Sequence, residues 1–440
     1  MNKTMLTLFT FNVTIVNIKR NNDLKKENSM RNTALLLLAA QSLMCADLAS
    51  LLPSAKTNLR VESARLEIQK SAAQLDEAKT AYFPTVSATA LYKKKDKTPA
   101  FEPNKIQGAE IGAQISVFDG FRREALLDAL HASMSSATHT MAQEEQNVLM
   151  ETIAAYYDYL DTQERLNVNK EKKIEILSEV ERYEVLVKND LATTDILKSL
   201  IASKLETEYD EQNLKMLLEK HRKHLELLSA TPIREPLVYR ELAMPVFSTL
   251  ERHDLQSDRS KIDILRNTED RYTYLPSITL EAKHKYMEYS GYDTMGGTNL
   301  QPLHQNELTA SLSMTLFDMG RIAKEREQAR IDTLKAQNLL DYKIQSLNND
   351  AEIALMSIQT SQNAYDAAKA EEEARSEAFG FIKKRFEAGL VNTTTYLSEL
   401  TNLTYSRAKA HNALNTLQVA KASAAYAYGI DLMTLIEDKK

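Results

Sequence analysis

Val117-Phe118-Asp119-Gly120-Phe121-Arg122 recurs 199 residues later as Leu316-Phe317-Asp318-Met319-Gly320-Arg321. The same offset carries Lys188-Asn189-Asp190-Leu191-Ala192-Thr193-Thr194 onto Glu387-Ala388-Gly389-Leu390-Val391-Asn392-Thr393. A third pair, Tyr82-Phe83-Pro84-Thr85-Val86-Ser87 and Tyr274-Leu275-Pro276-Ser277-Ile278-Thr279, lies 192 residues apart, so seven extra residues fall between Pro276 and Phe317. Three ordered matches at nearly one spacing mark an internal duplication, which has to be settled before any fold assignment. The proline-containing stretch from Pro232 to Pro245 is the junction. The expected organisation is a first repeat over 47–230, a linker over 231–246, a second repeat over 247–430 and a C-terminal tail over 431–440.

Around the repeated motifs the hydrophobic period changes to two. Val86, Ala88, Ala90 and Tyr92 alternate with smaller or polar neighbours after Pro84. Ala109, Ile111, Ala113, Ile115 and Val117 alternate with Glu110, Gly112, Gln114 and Ser116. In the second repeat Ile278, Leu280, Ala282, His284 and Tyr286 oppose Ser277, Thr279, Glu281, Lys283 and Lys285. Leu308, Ala310, Leu312, Met314 and Leu316 oppose Glu307, Thr309, Ser311, Ser313 and Thr315. Segments of about ten residues with one apolar and one polar face suit tilted strands that cross a bilayer. The polar set Glu110, Gln114, Ser116, Glu281, Lys283, Thr309, Ser311 and Ser313 would then face a lumen. Four strands cannot close a barrel, since single-chain bacterial barrels start at about eight. An open sheet would leave edge amides unpaired in hydrocarbon. Several copies must share one barrel, and a homotrimer supplies about 12 strands, enough for a polar interior.

The rest reads as helix. No proline falls in 104–231 or 303–440. Asp119 to Lys188 and Asp318 to Glu387 each run about 105 Å as helix. Leu149, Ile153, Tyr156 and Leu160 form one seam, and Leu340, Ile344, Leu347, Ala351, Ala354 and Ile358 another, with coiled-coil spacing. Shorter helices over 48–80 and 193–229 together match one long helix, so they can stack end to end along it. Pro84 and Pro276 end the incoming helices. Asp119, Gly120, Asp318 and Gly320 sit at strand-to-helix corners, where an aspartate can cap.

Composition narrows the class. Net charge is −6, the pI near 5.9 and mean hydropathy −0.40, with 26% charged residues. That excludes a broad basic surface for nucleic acid. Beyond the N-terminal region no apolar run nears the ~20 residues of a spanning helix. Met30-Arg31-Asn32, the apolar run Ala34 to Ala40 and a cleavage position at Ala46 make 30–46 a secretory signal. Residues 1–29 form an unstructured extension that suggests Met30 as the start. The single cysteine, Cys45, either leaves with the signal or becomes a lipidated first residue. No catalytic cluster, cofactor motif or convincing metal set is visible. His221 and His224, three apart on a helix, lack a third ligand. Lys93-Lys94-Lys95 follows the first strand at the expected outer rim, within reach of lipid phosphates. With no Trp, Tyr82, Tyr92, Tyr274, Tyr286 and Tyr289 are the candidates for an interfacial girdle.

These residues resemble the TolC family of outer-membrane efflux and secretion channels. Ala81-Tyr82-Phe83-Pro84, Val117 to Arg122 and Leu191-Ala192-Thr193-Thr194-Asp195-Ile196-Leu197, with their second-half counterparts, carry the resemblance over about 47–430. It implies a mainly α fold with a membrane β-barrel part. Long coiled-coil hairpins would form a periplasmic tunnel, and four strands per chain would enter a shared trimeric barrel. Implied partners are a periplasmic adaptor and an inner-membrane pump of the RND or ABC type, with outer-membrane lipid around the barrel. A periplasmic coiled-coil scaffold without a channel is the alternative, and it leaves the alternating strands unexplained.

By the same resemblance the two hairpin turns are the gate and the adaptor-docking tips. They comprise Asn189, Asp190, Leu191, Thr193, Thr194 and Asp195, then Phe386, Gly389, Leu390, Val391, Asn392 and Thr393. Thr193 and Asn392 or Thr393 are the expected helix caps. Two carboxylate positions of the family fall on Thr395 and Ser398, which are uncharged, with Glu399 adjacent. A cation-sensitive acidic gate is therefore not expected here. Hydrogen bonding and helix packing are expected to hold the closed state.

Overall fold

A computed structural model describes residues 47–98, 102–233, 237–247, 252–292 and 302–436. The expectations for 1–29, for the signal over 30–46 and for Cys45 lie outside the described residues. In chain order the elements are α1 (Leu48–Ala55), α2 (Leu59–Thr80), β1 (Thr85–Lys94), β2 (Pro103–Phe118), α3 (Arg122–Lys188) and α4 (Thr194–Ser229). The second repeat follows as α5 (His253–Asp270), β3 (Ser277–Tyr292), β4 (His304–Ser313), α6 (Arg321–Glu387) and α7 (Thr393–Ala427). A 3-10 turn over Leu432–Leu435 closes the chain.

The four strands form one antiparallel sheet in the order β1-β2-β3-β4. The central pair, β2 with β3, joins the two repeats. The helices that adjoin the sheet, α2, α3, α5 and α6, all do so at the end where β1 and β3 begin and β2 and β4 finish. The long helix α3 packs against α2, α4, α5 and α7, while α6 packs against α5 and α7. The sheet is thus the head of a helical rod.

The short helices meet end to end through two side chains. Asn58 caps α2 by accepting from Arg60 N–H at 2.9 Å. Its amide also donates to the last carbonyls of α4, Leu227 at 3.0 Å and Leu228 at 2.9 Å. Arg252 does the equivalent in the second repeat. It stands at the N-cap of α5, donates to Tyr426 C=O near the end of α7 at 3.3 Å and lies 4.9 Å from the Tyr426 ring. Each joint turns two helices into a partner as long as the neighbouring rod.

Several sequence boundaries need correction. The helix expected over 48–80 is broken at 56–58, where Asn58 caps and restarts the next helix, while Pro53 is accommodated inside α1. The long helices begin at Arg122 and Arg321, not at the aspartates, because two left-handed residues turn the chain first. Strand β4 stops at Ser313, since its partner begins at Ser277, directly opposite. Met314 and Leu316 therefore leave the ladder. Lys93 and Lys94 belong to β1, and only Lys95 lies beyond it.

The linker and tail are not loose connections. Leu237 and Leu242 are buried, as are Leu432 and Leu435 of the closing turn, in one core with Leu149, Ile153, Tyr156 and Leu160. Tyr156 and Tyr157 donate their hydroxyls to Val238 and Arg240 carbonyls. Arg240 binds Asp47 at 2.8 Å and the Ile436 carbonyl at 2.8 Å. Asp47 and the closing turn are thereby tied to the middle of the rod. On α6, Ala351 and Ile358 of the predicted seam are buried. Ile331, Leu334, Leu339, Tyr342, Ile353 and Met356 of the same helix remain exposed.

Candidate functional site: the hairpin tips and the sheet

The α3–α4 and α6–α7 turns are built alike. Asp190 (φ 57°) and Gly389 (φ 72°) occupy the left-handed position after each long helix. Leu191 N–H then reaches back to Leu186 C=O at 2.8 Å, and Leu390 N–H to Arg385 C=O at 2.8 Å. These bonds satisfy carbonyls that the helix end leaves open. Asn189 adds a side-chain bond to Val185 C=O at 2.8 Å.

The returning helices differ. Asn392 caps α7, accepting from the N–H and the hydroxyl of Thr395, both at 2.8 Å. Thr193 holds the equivalent position but makes no capping bond to the backbone. Its hydroxyl goes to the Asp195 carboxylate, which with the helix N-terminus holds that carboxyl below its ordinary range. Thr393 does not cap either; it lies inside α7, its hydroxyl buried without a partner. Thr194, Asp195, Thr395 and Ser398 are exposed, and so are Leu191 and Leu390 at the very end. Glu399 is tied sideways to Arg375 at 3.6 Å.

What joins the two hairpins was not visible in the sequence. Ile176, Val180, Tyr183, Leu200, Phe386, Tyr396 and Leu400 bury one another, with Val391, Ala192 and Ile196 packed around them. Phe386 stacks on Tyr396 at 4.3 Å and faces Tyr183 at 5.8 Å. The fully buried Tyr396 donates its hydroxyl to Glu175 at 2.6 Å, and Lys383 pairs with the same carboxylate at 2.7 Å. Burial, then the Glu175 carboxylate, raise the Tyr396 hydroxyl far above its usual pKa, so it stays a donor. Glu175 thus binds α3 to both helices of the other hairpin.

At the sheet end the corners repeat one conformation. Gly120 and Phe121 have φ 75° and 64°, and Met319 and Gly320 have φ 57° and 78°. Asp318 accepts from Gly320 N–H and Ile322 N–H, each at 3.0 Å, and from the Tyr274 hydroxyl at 3.0 Å. Asp119 does not cap; one of its carboxylate oxygens is buried without a partner. The first corner is held by arginines instead. Arg122 donates to Asp119 and Thr273 carbonyls, and Arg123 to Ala81 and Ser116 carbonyls. Pro84 and Pro276 each stand immediately ahead of a strand.

Strand register sorts the two faces. Thr85, Gln114, Glu281 and Thr309 share one rung, and Thr89, Glu110, Lys285 and Gln305 another. Ser116 opposes Thr279, which opposes Ser311; Lys283 opposes Glu307; Ser313 opposes Ser277. All eight polar strand residues singled out above therefore lie on one face. Its charges are matched, with Lys285 2.9 Å from Glu307 and Lys283 2.7 Å from Glu281.

The other face is apolar up to an oblique line. Going toward the turns, the last apolar residues are Leu308 on β4, Ala282 on β3, Ala109 on β2 and Ala90 on β1. Asn306, His284, Gln107 and Tyr92 follow them. Leu308 is level with Val86 by register, so the line climbs four residues along β1 in crossing the sheet. At ~3.4 Å per residue and ~4.8 Å between strands, that rise means a strand tilt of roughly 43°. Membrane barrels tilt their strands by about 35–45°. Tyr92 and Tyr286 sit along this line, and Tyr82 and Tyr274 at the helix end. Tyr289 opposes Ile106 on the polar face and does not belong to the girdle.

An apolar-faced, obliquely banded sheet on a rod of paired helices defines a class: outer-membrane channels with a helical extension. The sequence profile of the family described as "Outer membrane efflux protein" matches residues 53–187 and 251–429, and the chain belongs to that family. The fold is similar to the Campylobacter jejuni CmeC outer membrane channel, at 16% identity over 89% of this chain and 86% of that one (TM-score 0.75). It is also similar to the Vibrio cholerae outer membrane protein VceC, at 14% identity over 88% and 96% (TM-score 0.71). The Neisseria gonorrhoeae MtrE outer membrane channel, solved in its open state, shares 16% identity over 89% and 91% (TM-score 0.72). No curated protein matches by sequence. The chain is an outer-membrane protein with a periplasmic extension, and the expected TolC-like fold is present.

Proposed function

We propose that three copies of this chain close a single 12-stranded barrel that continues into a helical periplasmic tunnel. The assembly is the passive exit duct of a tripartite efflux pump or a type I secretion system. The observation that carries this reading is the sheet: β1 and β4 have free edges, one face is apolar, and the tilt suits closure. Joining β1 of one copy to β4 of the next would satisfy both edges. The exposed apolar residues of α6 give the copies a second contact. The polar face would line the lumen, its matched charges leaving a wet conduit.

The hairpin tips would be the constriction and the place where the periplasmic adaptor docks. Energy would come from an inner-membrane pump. Opening would pull the α6–α7 hairpin away from α3, breaking the Tyr396–Glu175 and Lys383–Glu175 contacts. A Thr395→Cys variant on a Cys45→Ser background tests the gate with a cleavable bifunctional thiol reagent. Crosslinking between copies should stop export, and reduction should restore it. Full crosslinking with unchanged export would refute the tips as the gate.

A further inference from the structure

We propose that Lys94 and Lys105, flanked by Tyr92, bind a phosphate of the outer-leaflet glycolipid on the outer surface of the barrel. The inference rests on the barrel reading above. Register places Lys94 directly opposite Lys105 across β1 and β2, on the face that carries Ile111. Like charges directly opposed in a sheet destabilise it unless something neutralises them. Among the described residues, neither ammonium has a carboxylate within 4.0 Å. Of the nearby lysines, Lys95 pairs with Glu102 at 2.6 Å, and Lys283 and Lys285 have carboxylates on the polar face, whereas Lys93 has none within 4.0 Å among the described residues. Glu288, on the lysines' own face, accepts from the neutral Gln107 amide at 2.6 Å and keeps its charge, but it pairs with neither ammonium within 4.0 Å.

An anion in direct contact with both ammonium groups would come from what surrounds this face. Tyr92 and Gln107 mark the edge of the apolar band, and the lysines stand one rung, ~7 Å, beyond it. That is headgroup level at the outer end of the sheet. Lys105 Nζ lies 5.7 Å from the centre of the Tyr92 ring, which steadies the ammonium beside an interfacial aromatic. Two ammonium groups at this level fit a phosphate monoester of a lipid headgroup, each donating a charge-assisted hydrogen bond. Lys93 is on the opposite face, opposed to Ile106, and serves as a control.

The test is native mass spectrometry of the full mature oligomer titrated with bisphosphorylated lipid A and with dephosphorylated lipid A. Wild type and Lys93→Gln should bind the phosphorylated lipid equally. The Lys94→Gln/Lys105→Gln double variant should bind it roughly 30-fold more weakly, from about one contact's worth of surface electrostatics per lysine. The dephosphorylated lipid should bind wild type no better than phosphorylated lipid binds the double variant. Equal binding of the two lipids to wild type overturns the proposal, even if the double variant fails to assemble. So does undiminished binding by an assembled double variant. A wild-type protein that forms no oligomer contradicts the barrel reading instead.

Discussion

Gly120, Gly320, Gly389 and Gly429 each have a counterpart 199 residues away that shares their left-handed backbone: Met319, Phe121, Asp190 and Ala230. Among the described residues those four are the non-glycine positions with positive φ. At these four positions the duplication kept the conformation and kept glycine in only one member of each pair. A Cβ in this region costs about 1–2 kcal/mol, partly offset by glycine's greater freedom when unfolded. Asp190→Gly and Ala230→Gly should each stabilise by roughly 0.5–1 kcal/mol, read as a higher dissociation temperature of the oligomer. Gly389→Ala should lower it. The corner pairs were legible as motifs, though the shift of glycine from first to second place made Asp119 look like a cap. The Glu175–Lys383–Tyr396 cluster was not legible. Glu175 lies over 200 residues from both Lys383 and Tyr396 in sequence, and position 374, the counterpart of Glu175, is alanine, so the repeat offers no signal. Tyr396→Phe keeps the stacking on Phe386 and removes one bond to Glu175. It should raise the current through the closed channel in planar bilayers; an unchanged closed current would mean that this bond does not hold the gate.

The strands and helices answer to different solvents. In the sheet, Arg at Ile111 should cost about 2–4 kcal/mol if that site lies near mid-bilayer. Leu312, two same-face steps inside the oblique edge against one for Ile111, should cost at least as much. Arg at Gln114 or Ser313 should assemble and change conductance, and equal assembly of both classes would count against the face assignment. Period-two alternation revealed these faces directly. It overran the end of β4 because Met314 and Leu316 keep the alternation after the partner strand has ended. Between the helices, Lys343 on α6 holds Asp258 at 2.7 Å and Asp254 at 3.2 Å on α5. Burial works to raise both carboxyls. For Asp254 the Arg252 side chain outweighs it, for Asp258 Lys261, each with Lys343, and both end below the ordinary range. Carboxyls depressed in the folded state stabilise it above the unfolded pKa of about 4, and the contribution is lost as pH falls through the folded values. Neutral to mildly acidic solution should therefore leave the α5–α6 contact intact. Lys343→Met should shift acid dissociation of the oligomer to higher pH, measured by gel mobility across a pH series.

At the scale of the whole molecule, a single chain is visibly incomplete. Its sheet has two free edges, and α6 exposes Leu339, Tyr342, Ile353 and Met356 along a helix whose opposite side is packed. The duplication would suit the proposed ring: each copy contributes two similar hairpins and two similar strand pairs, so three copies would give six near-equivalent units. Sequence reasoning reached the long helices and the four-stranded sheet because repeats, alternation and proline-free rods are local signals. It missed that the linker and the C-terminal turn are buried in the core, because that depends on long-range contacts such as Arg240 with Asp47. The most direct test places one cysteine in β1 and one in β4 of the same chain, on a Cys45→Ser background, and scans pairs between 85–94 and 304–313 under oxidation in intact membranes. The account predicts that some pairs give a denaturant-resistant, reducible ladder ending sharply at three chains. Chains that stay monomeric at every pair, or a ladder that runs past three, would contradict it.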